Sequence, residues 1–543
     1  MCSRIPKRED SDGAREPLLG NSGSVFHESP VEAEVVTESE SSLCESTTTA
    51  FSYEDAINEA GFGLFHGWLL IVCGWANASD AIEILSVSFL LPAARCDLQL
   101  TSSDMGFLIA STFLGMAIGG YVWGYLADKN GRQKILAFSL AINGLFAALS
   151  SLATTFWLFL LLRFISGVGV GGSIPVIFSY FSEFQPRKKR GVMISCLATF
   201  WMVGNILVAG LAWLVIPRTF IRFQLGSLNF ESWRVFVGLC SIPSLSSGLL
   251  FGFVMPESPK YLMEVGNETV AIHVFHKMFV CNHRGSIKKF PICKLNISNK
   301  RAEKSAVKDN LNVNTLCHII KQPLGPSTKL FRAPLTSRSI VLLIVFFCIS
   351  FGYYGLWMWL PELFKRQDEG DVSCSITFHQ SDTHQVNNES CSPPKRTVFT
   401  ESLITAGANL PGNIFTIFLM DVLGGRILLV FSLLLSGLSV FFFWAVKTKT
   451  QSLVMSCIFS AVSVVSWNAL DLIGTELYPT QLRSCALGFF TGVGRLASIL
   501  ANIVFGQLVD TNCAVTLLLV AAMLCIGGLT ASRLPHTKHA ELM

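Results

Sequence analysis

Apolar stretches about 20 residues long recur along the chain, and each is long enough for a helix to cross the hydrocarbon core of a bilayer. Six lie in the first half, at 68–91, 105–127, 135–154, 156–180, 192–216 and 235–255. Six more lie in the second half, at 340–360, 403–420, 427–446, 453–475, 485–508 and 514–532. This pattern predicts an all-α membrane protein with twelve transmembrane helices.

The composition and the distribution of charge agree with a membrane protein. Of the 543 residues, 51% are hydrophobic and 14% are charged, and the mean hydropathy is +0.51, which excludes an ordinary soluble domain. Basic residues concentrate in the short connections after the second and fourth spans and in the segment after the sixth. By the positive-inside rule, these connections and both termini are predicted to face the cytoplasm. Residues 1–64 are polar and acidic, so no cleavable signal peptide is predicted.

Two motifs recur at one offset. Asp128 in "GYLADKNGRQK" recurs 293 residues later as Asp421 in "LMDVLGGR". Glu183 in "EFQPRKKR" recurs at the same offset as Glu476 in "ELYPTQLR". Such a repeat predicts two homologous six-helix halves, as in many secondary transporters. The predicted organisation is a disordered tail 1–60, a first half 61–255, a cytoplasmic linker 256–338, a second half 339–532 with a short luminal loop 361–402, and a tail 533–543.

The charged residues of these motifs are predicted to form networks on the cytoplasmic face. A turn at Gly131 lets Asp128 lie near the N-terminus of the third span, where the helix dipole stabilises a carboxylate. Ion pairs among such residues can hold the two halves in one state and break in another. The candidate coupling and gating residues are therefore Asp128, Arg132, Glu183 and Arg190, with the counterparts Asp421, Glu476 and Arg483. The alternative is that they only fix topology.

Two carboxylates, Asp80 and Glu83, lie inside the first apolar span, in "CGWANASDAIEILSVSF". A charge at mid-bilayer costs roughly 2.5 to 3.5 kcal/mol even on lenient insertion scales, so both should face a cavity or a partner. The spacing i, i+3 puts them on one helix face. We expect them to bind a cation or to carry a proton, because burial favours the protonated form of a carboxylate. The alternative is that they are counter-ions for Arg163 or Arg495.

A second group of residues predicts a central small-molecule pocket. Arg495 is a lone cation near the middle of the eleventh span, where it either attracts an anionic group of a solute or pairs with an acid. Trp467 and Asp471 share a helix face at i, i+4. Tyr353, Tyr354 and Trp201 fall at similar depths, and aromatic walls with a few polar anchors are typical of such pockets. Each aromatic taken alone is equally typical of packing between helices.

Three further features carry predictions of their own. Asn409 and Asn413 bracket Pro411 and Gly412 in the eighth span, which indicates either a gating bend or ordinary packing. In the luminal loop, a disulfide is predicted between Cys374 and Cys391, with Cys96 as a competing partner, and Asn388 heads a glycosylation sequon. In the N-terminal tail, "TESESSLCESTTT" and "REPLLG" are candidate sites for kinase and sorting partners.

Several motifs resemble known families. "GYLADKNGRQK" is similar to the major facilitator loop signature, and "RFISGVGVGG" resembles the fourth-span motif of sugar and organic-ion members. "GGSIPVIFSYFSEF", "SWRVF", "PESP", "SFGYYGLWMWLPE", "LPGNI" and "SWNALD" resemble the synaptic vesicle glycoprotein 2 family, in order, over residues 55–535. Members of that family carry a large luminal repeat domain after the seventh span, and here that loop is short.

The resemblance implies a major facilitator fold, a secretory or synaptic vesicle location with the plasma membrane as the alternative, and an aromatic pocket similar to the one that binds racetam-type drugs. It also implies that Arg163 pairs with first-span acids during proton coupling. We therefore expect a secondary transporter of a small organic solute, with a cation or zwitterion favoured over an organic anion. The alternative is a non-transporting vesicle regulator or receptor. An enzyme is disfavoured, since no phosphate loop, metal cluster or activated nucleophile stands out, and no cofactor or nucleic acid is expected.

Overall fold

Long apolar helices make up most of this computed structural model. The structure describes residues 51–218, 223–225, 228–283, 290–292, 294–296, 330–332, 335–369, 394–446, 448–478 and 480–535. In the first half the helices are α1 Tyr53–Ala60, α2 Leu64–Asp97, α3 Ser102–Asn130, α4 Arg132–Ser150, α5 Phe156–Ser182, α6 Arg187–Val215 and α7 Ser232–Phe253. An antiparallel pair of short strands, β1 Phe223–Leu225 and β2 Leu228–Phe230, connects α6 to α7.

The linker contains α8 Pro259–Val265 and α9 Glu268–Asn282. The second half contains α10 Thr336–Trp357, α11 Leu360–Glu369, α12 Arg396–Gly407, α13 Asn409–Leu423, α14 Gly425–Ala445, α15 Lys449–Glu476 and α16 Thr480–Ala531. Each of α2 to α7 overlaps one of the first six predicted spans, and the apolar runs of α10 to α16 overlap the other six.

The last helix accounts for two passes. At about 1.5 Å per residue, the 52 residues of α16 are more than twice as long as a bilayer core is thick. Asn512 interrupts the helix with φ −158° and ψ 83°, so the chain turns there between the eleventh and twelfth passes. Helices α12 and α13 together make one pass, 25 residues of which are apolar enough to cross a membrane. The described chain therefore has the predicted twelve-pass architecture.

The two ends of the bundle differ. We call the end where α3, α5 and α7 finish, next to α8 and α9, the linker side. The opposite end, where α2, α4 and α6 finish, is the far side.

The two halves are joined directly on the far side. The Ser88 hydroxyl donates to the backbone oxygen of Met358 at 2.8 Å. Arg95 on α2 pairs with Glu362 on α11 at 3.1 Å between Nη1 and Oε1. These bonds connect the first half to α11, the short helix that continues α10 after a turn, and they close the bundle at this end.

The tail differs from its prediction at its last residues. The expectation of a disordered segment covers residues 1–60, but residues 53–60 form α1. Its start is capped reciprocally by Ser52 and Asp55. Ile57 on its inner face is buried in the linker-side core. The helix was not predicted because the tail was treated as one segment, and the acidic composition of residues 1–50 dominates that segment.

Candidate functional site

A cavity of about 450 Å³ separates the two halves between the bundle centre and the linker side. Helices α3 and α5 line it from the first half and α16 lines it from the second. Its walls are mostly apolar or glycine, and its polar groups come from few residues. The lining residues are Met116, Ala117, Gly120, Tyr121, Gly171, Ile174, Pro175, Leu487, Gly488, Phe489, Thr491, Gly492 and Arg495.

Arg495, which lies in the eleventh pass, brings a positive charge to this cavity. Its guanidinium carbon lies 5.8 Å from the ring centre of Phe113 and 5.7 Å from that of Tyr354. These contacts are cation–π interactions, which stabilise the cation without neutralising it. Its Nη1 atom is buried and has no hydrogen-bond partner among the described residues. Arg495 is therefore available to an anionic group of a ligand.

Three of the predicted aromatic residues come together beside Arg495. The ring centres of Tyr353 and Tyr354 lie 6.1 Å and 5.9 Å from that of Trp467, and 5.2 Å from each other. Sequence reasoning missed two members of the group. Phe113 lies 5.0 Å from Tyr354, and Trp357 stacks on Tyr353 at 5.8 Å. Trp357 lies one helical turn from Tyr353, so its i, i+4 spacing could have placed it on the same helix face.

Two other pocket candidates lie less centrally. Asp471 is exposed one turn from Trp467, but it is not among the residues that line the 450 Å³ cavity. Trp201 is half-buried and packs against the core that joins the two halves. Within the described residues, neither side chain makes an aromatic or ionic contact with Arg495, so their assignment to the pocket stays a prediction.

The two first-span carboxylates lie in an enclosed polar network within the first half, not on the cavity wall. Glu83 forms an ion pair with Arg163, and the Ser166 hydroxyl lies 2.7 Å from its Oε1. Asp80 accepts a hydrogen bond from Ser173 at 2.7 Å. Both carboxylates are at most 1% exposed. The sequence predicts that each carboxylate faces a cavity or a partner. Glu83 has the partner Arg163, and neither carboxylate is among the residues that line the 450 Å³ cavity.

Asn143 connects the two carboxylates. Its Nδ2 lies 3.5 Å from Asp80 Oδ1, and its Oδ1 lies 2.9 Å from the Ser166 hydroxyl. Ser166 has one proton to donate, so it bonds either to Asn143 or to Glu83 at any moment. Asp80 has no ion-pair partner within the described residues. The network thus holds one paired and one unpaired carboxyl group. Asn143 and Ser166 were missed because neither is charged.

The four first-half motif residues Asp128, Arg132, Glu183 and Arg190 all make charge contacts on the linker side. Arg132 pairs with Glu183 and lies 3.7 Å from Asp128, whose side chain is 77% exposed. Arg190 lies 3.7 Å from Glu54 on α1. The tail helix therefore belongs to this network, which the motif spacing alone did not indicate.

The N-terminus of α4 is capped by Glu257, so the placement of Asp128 there needs correction. Glu257 Oε1 accepts hydrogen bonds from the backbone N–H groups of Arg132 at 2.9 Å and Gln133 at 3.0 Å. Asp128 lies in the last turn of α3, before Gly131, which has a φ of +100°. Because the reaching carboxylate comes from the "PESP" segment, local spacing could not identify it.

The second-half counterparts are described less fully. Glu476 ends α15 and is exposed. The side chains of Asp421 and Arg483 lie outside the described residues. In the eighth pass, the helix breaks at Ala408, and Asn413 bonds to Thr199 of the first half at 3.3 Å.

The predicted loop modifications cannot be located, because Cys374, Asn388 and Cys391 lie outside the described residues. Cys96, the competing partner named from the sequence, is disulfide-bonded, and so is Cys513. Both lie on the far side, at the end of α2 and beside the turn at Asn512.

Comparison with protein families gives two matches. The model of the Major Facilitator Superfamily matches residues 73–378, more than half of the chain. The chain belongs to this superfamily. The model described as "Sugar (and other) transporter" matches residues 391–543. The chain is thus a multi-pass membrane transporter by family, and its relatives are transporters and not enzymes.

Individual relatives narrow the family. Synaptic vesicle glycoprotein 2C of Rattus norvegicus is 32% identical, with 91% of this chain and 82% of the relative aligned. Synaptic vesicle glycoprotein 2B of Mus musculus is also 32% identical, over 91% and 87%. The 2A protein of Rattus norvegicus is 30% identical, over 90% and 79%. The chain is therefore a member of the synaptic vesicle glycoprotein 2 family, as its motifs predict.

Solved structures agree on the fold. The xylose transporter XylE from E. coli in a partially occluded inward open conformation superposes with a TM-score of 0.61, 19% identity, and 87% of this chain and 99% of XylE covered. Its inward open conformation gives the same TM-score with 18% identity and 88% and 98% coverage. The twelve-helix major facilitator fold is confirmed.

Proposed function

We propose that this protein transports a small organic solute that carries an anionic group, either an organic anion or a zwitterion, by alternating access. The observation that carries the proposal is the cavity of about 450 Å³ between halves that are joined on the far side, with the unpaired Nη1 of Arg495 in its wall. A cation without a counter-ion attracts negative charge most strongly where water is scarce. The aromatic group of Tyr353, Tyr354 and Trp467 offers a flat apolar surface for the rest of the solute.

This proposal shifts the substrate preference that the sequence favours. The sequence favours a cation or a zwitterion, because acids slightly outnumber bases among the candidate pocket residues. In the structure Glu83 is neutralised by Arg163 and Asp80 is enclosed. Among the described residues that line the cavity, Arg495 is the charged one, which makes a zwitterion or an anion the better match.

We propose that the linker side faces the cytoplasm and that the protein resides in a vesicle membrane. The basic run 187–190 begins α6 on the linker side, in line with the positive-inside rule. The disulfide-bonded Cys96 and Cys513 lie on the far side, and disulfides persist in oxidising compartments. The names of the curated relatives support a vesicle, while a plasma membrane fits the same topology.

Thermal unfolding of purified protein tests the ligand class. Organic anions, zwitterions, cations and sugars are added separately to wild type, Arg495→Gln and Arg533→Gln, the last an exposed arginine control. A ligand at 100 times its Kd stabilises the folded state by about 2.7 kcal/mol, which raises the melting temperature.

We expect carboxylate-bearing solutes to raise the melting temperature of wild type and Arg533→Gln but not of Arg495→Gln. The solute that does so is then tested for uptake into proteoliposomes. A shift from cations alone, retained in Arg495→Gln, contradicts the proposed charge preference. Binding without uptake favours the alternative of a non-transporting regulator or receptor.

A further inference from the structure

A second cavity, of about 950 Å³, lies on the linker side between the tail helix α1 and the first half. It shares Pro175 of α5 with the 450 Å³ cavity. On α3, Gly120 lines the 450 Å³ cavity, and Gly124, one turn nearer the linker side, lines the second one. The two cavities are therefore neighbours along α3 and α5. We call the second cavity the vestibule.

The vestibule differs from the 450 Å³ cavity in its charge. Among the described residues, its wall carries four basic and three acidic side chains, namely Arg132, Arg187, Arg190 and Lys260 with Glu54, Asp128 and Glu183. Arg132 pairs with Glu183 and lies 3.7 Å from Asp128. Arg187 and Arg190 instead pair with a residue of the tail.

Glu54 of α1 is that tail residue. Its Oε1 atom lies 2.9 Å from Nε of Arg187 and 3.7 Å from Nη2 of Arg190. Both arginines lie in the first turn of α6, and Pro186, which precedes it, provides no side-chain cap. The positive end of the helix dipole adds to the attraction of two guanidinium groups for a carboxylate. Glu54 therefore occupies an anion-binding site at the start of α6.

The tail helix is anchored independently of this ion pair. The Tyr53 hydroxyl donates to the backbone oxygen of Glu183. At the other end of the helix, Asn282 of the linker donates from Nδ2 to the backbone oxygen of Gly61 at 2.8 Å. These bonds hold α1 beside the vestibule, so that Glu54 can leave the two arginines without detachment of the helix.

The ion pair itself is open to water. The side chain of Arg187 is 76% exposed and that of Glu54 is 26% exposed. Exposed ion pairs contribute little net stability, because water solvates the separated charges well. A carboxylate of another molecule can therefore replace Glu54 on Arg187 and Arg190.

We propose that Arg187 and Arg190 form an entry site for the anionic group of the solute, and that Glu54 is a tethered competitor which the solute displaces on its way to Arg495. The inference rests on the proposed function for the destination of the solute. It adds a second anion site, at the linker side, and a role for the tail helix in access to the 450 Å³ cavity.

Charged thiol reagents test the entry site. Thr491→Cys, in a Cys196→Ser background, places a reporter thiol in the wall of the 450 Å³ cavity. The thiolate attacks a methanethiosulfonate that carries either a sulfonate or a trimethylammonium group, which forms a mixed disulfide and releases methanesulfinate. We compare the rate constants of the anionic and the cationic reagent in purified protein. The same protein without Thr491→Cys gives the background.

We expect Glu54→Gln to raise the ratio of the anionic to the cationic rate constant several-fold. Arg187→Gln with Arg190→Gln should lower this ratio several-fold, because charge at an entrance steers charged molecules. Glu59→Gln, exposed on α1 and outside the vestibule wall, is the matched control and should leave the ratio unchanged. Equal acceleration of both reagents in Glu54→Gln would show that α1 only blocks the entrance sterically, which overturns the proposal.

A carboxylate probe distinguishes the entry site from Arg495. In the Arg495→Gln background, sodium benzoate should slow the anionic reagent at a lower concentration with Glu54→Gln than with Glu54 intact. Sodium chloride at equal concentration is the control for screening. Without Arg187 and Arg190, benzoate should act no more strongly than chloride.

The two proposals fail in different ways. Benzoate that acts no more strongly than chloride in every variant overturns the entry site and leaves the ligand class assigned to Arg495 standing. Thermal shifts that persist in Arg495→Gln overturn that ligand class, whereas benzoate competition that depends on the two arginines still establishes the entry site. Monodisperse elution of each variant excludes misfolding as the reason for a negative result.

Discussion

At the residue scale, Arg163 and Arg495 carry the same charge inside the bundle but have different surroundings. Arg163 is fully buried, is paired with Glu83, and lies 5.4 Å from the ring centre of Phe159. Within the described part of the chain, Arg495 makes cation–π contacts with Phe113 and Tyr354 and lines the cavity. Removing the first should therefore affect stability most, while removing the second should affect ligand binding most.

Replacing Arg163 by alanine leaves Glu83 buried and unpaired. Breaking a buried pair from one side costs about 3–5 kcal/mol, whereas replacing both partners by apolar residues of similar size is often neutral. We expect a large fall in the melting temperature of Arg163→Ala and recovery of most of it in Glu83→Leu with Arg163→Met. Differential scanning fluorimetry in detergent measures both, and an unchanged melting temperature in the single variant contradicts the pairing.

Asp80 is the unpaired carboxyl of the same network and the candidate proton carrier. Asp80→Asn keeps an acceptor for the Ser173 hydroxyl but cannot change its protonation. Since Asp80 is enclosed within the first half and does not line the cavity, we expect solute exchange at equal pH to continue while acceleration by a pH gradient is lost. Proteoliposome uptake with and without a gradient measures this. Gradient-driven uptake that persists in Asp80→Asn excludes Asp80 from coupling.

At the scale of elements, the capping of α4, which forms the third pass, depends on a residue that is distant in sequence. Helix α4 has no side-chain cap of its own, since Gly131 precedes it. Glu257, which follows α7, supplies the acceptor and ties the linker to the α3–α4 turn. The linker is therefore attached to the first half by hydrogen bonds that backbone N–H groups of α4 donate to the Glu257 side chain.

Glu257→Ala tests this attachment. A lost charged cap leaves N–H groups unsatisfied and costs about 1–3 kcal/mol. We expect a lower melting temperature and faster proteolysis of the linker than in wild type. Glu264→Ala, at an exposed position on α8, is the matched control and should behave as wild type. Equal behaviour of the two variants would show that Glu257 is dispensable.

At the scale of the whole molecule, charge holds the far side closed. Glu362 Oε1 lies 3.1 Å from Arg95 of the first half and 3.2 Å from Nε of Arg366. Arg366 in turn donates to Asp510 at 2.7 Å and to Ser102 at 2.8 Å. Glu362 is 2% exposed, so its charge is little screened by water. This network crosses the interface that would open in the proposed alternating-access cycle.

Glu362→Gln should therefore populate a far-side-open state. Each 1.4 kcal/mol lost from the closed state changes the equilibrium about tenfold. We expect faster labelling of Ser88→Cys in Glu362→Gln than in wild type. Asp368→Asn is the matched control, because Asp368 pairs with Lys449 inside the second half. Acceleration of similar size in both variants would indicate general loosening and not an inter-half lock.

Several features were determined by the sequence alone. Twelve apolar runs, the repeat of Asp128 as Asp421 and the family motifs specified the fold, because crossing a bilayer imposes a length and hydropathy that local sequence must satisfy. The sequence also predicts one candidate pocket for Arg495, Trp467, Tyr353 and Tyr354. The reason is that the helical repeat indicates which residues share a helix face and a depth in the membrane.

The family resemblance implies that Arg163 pairs with a first-span acid, but only the tertiary structure decided that this acid is Glu83 and not Asp80. Glu83 lies 80 residues from Arg163, and Glu257 lies 125 residues from Arg132; no periodicity within one helix determines contacts between helices so far apart in the chain. Asp80 and Arg495 both lie in apolar spans, but helix packing encloses Asp80 within the first half and places Arg495 in the cavity wall. The physical reason is that hydropathy specifies burial, whereas the partner of a buried charge depends on how the helices are arranged around it.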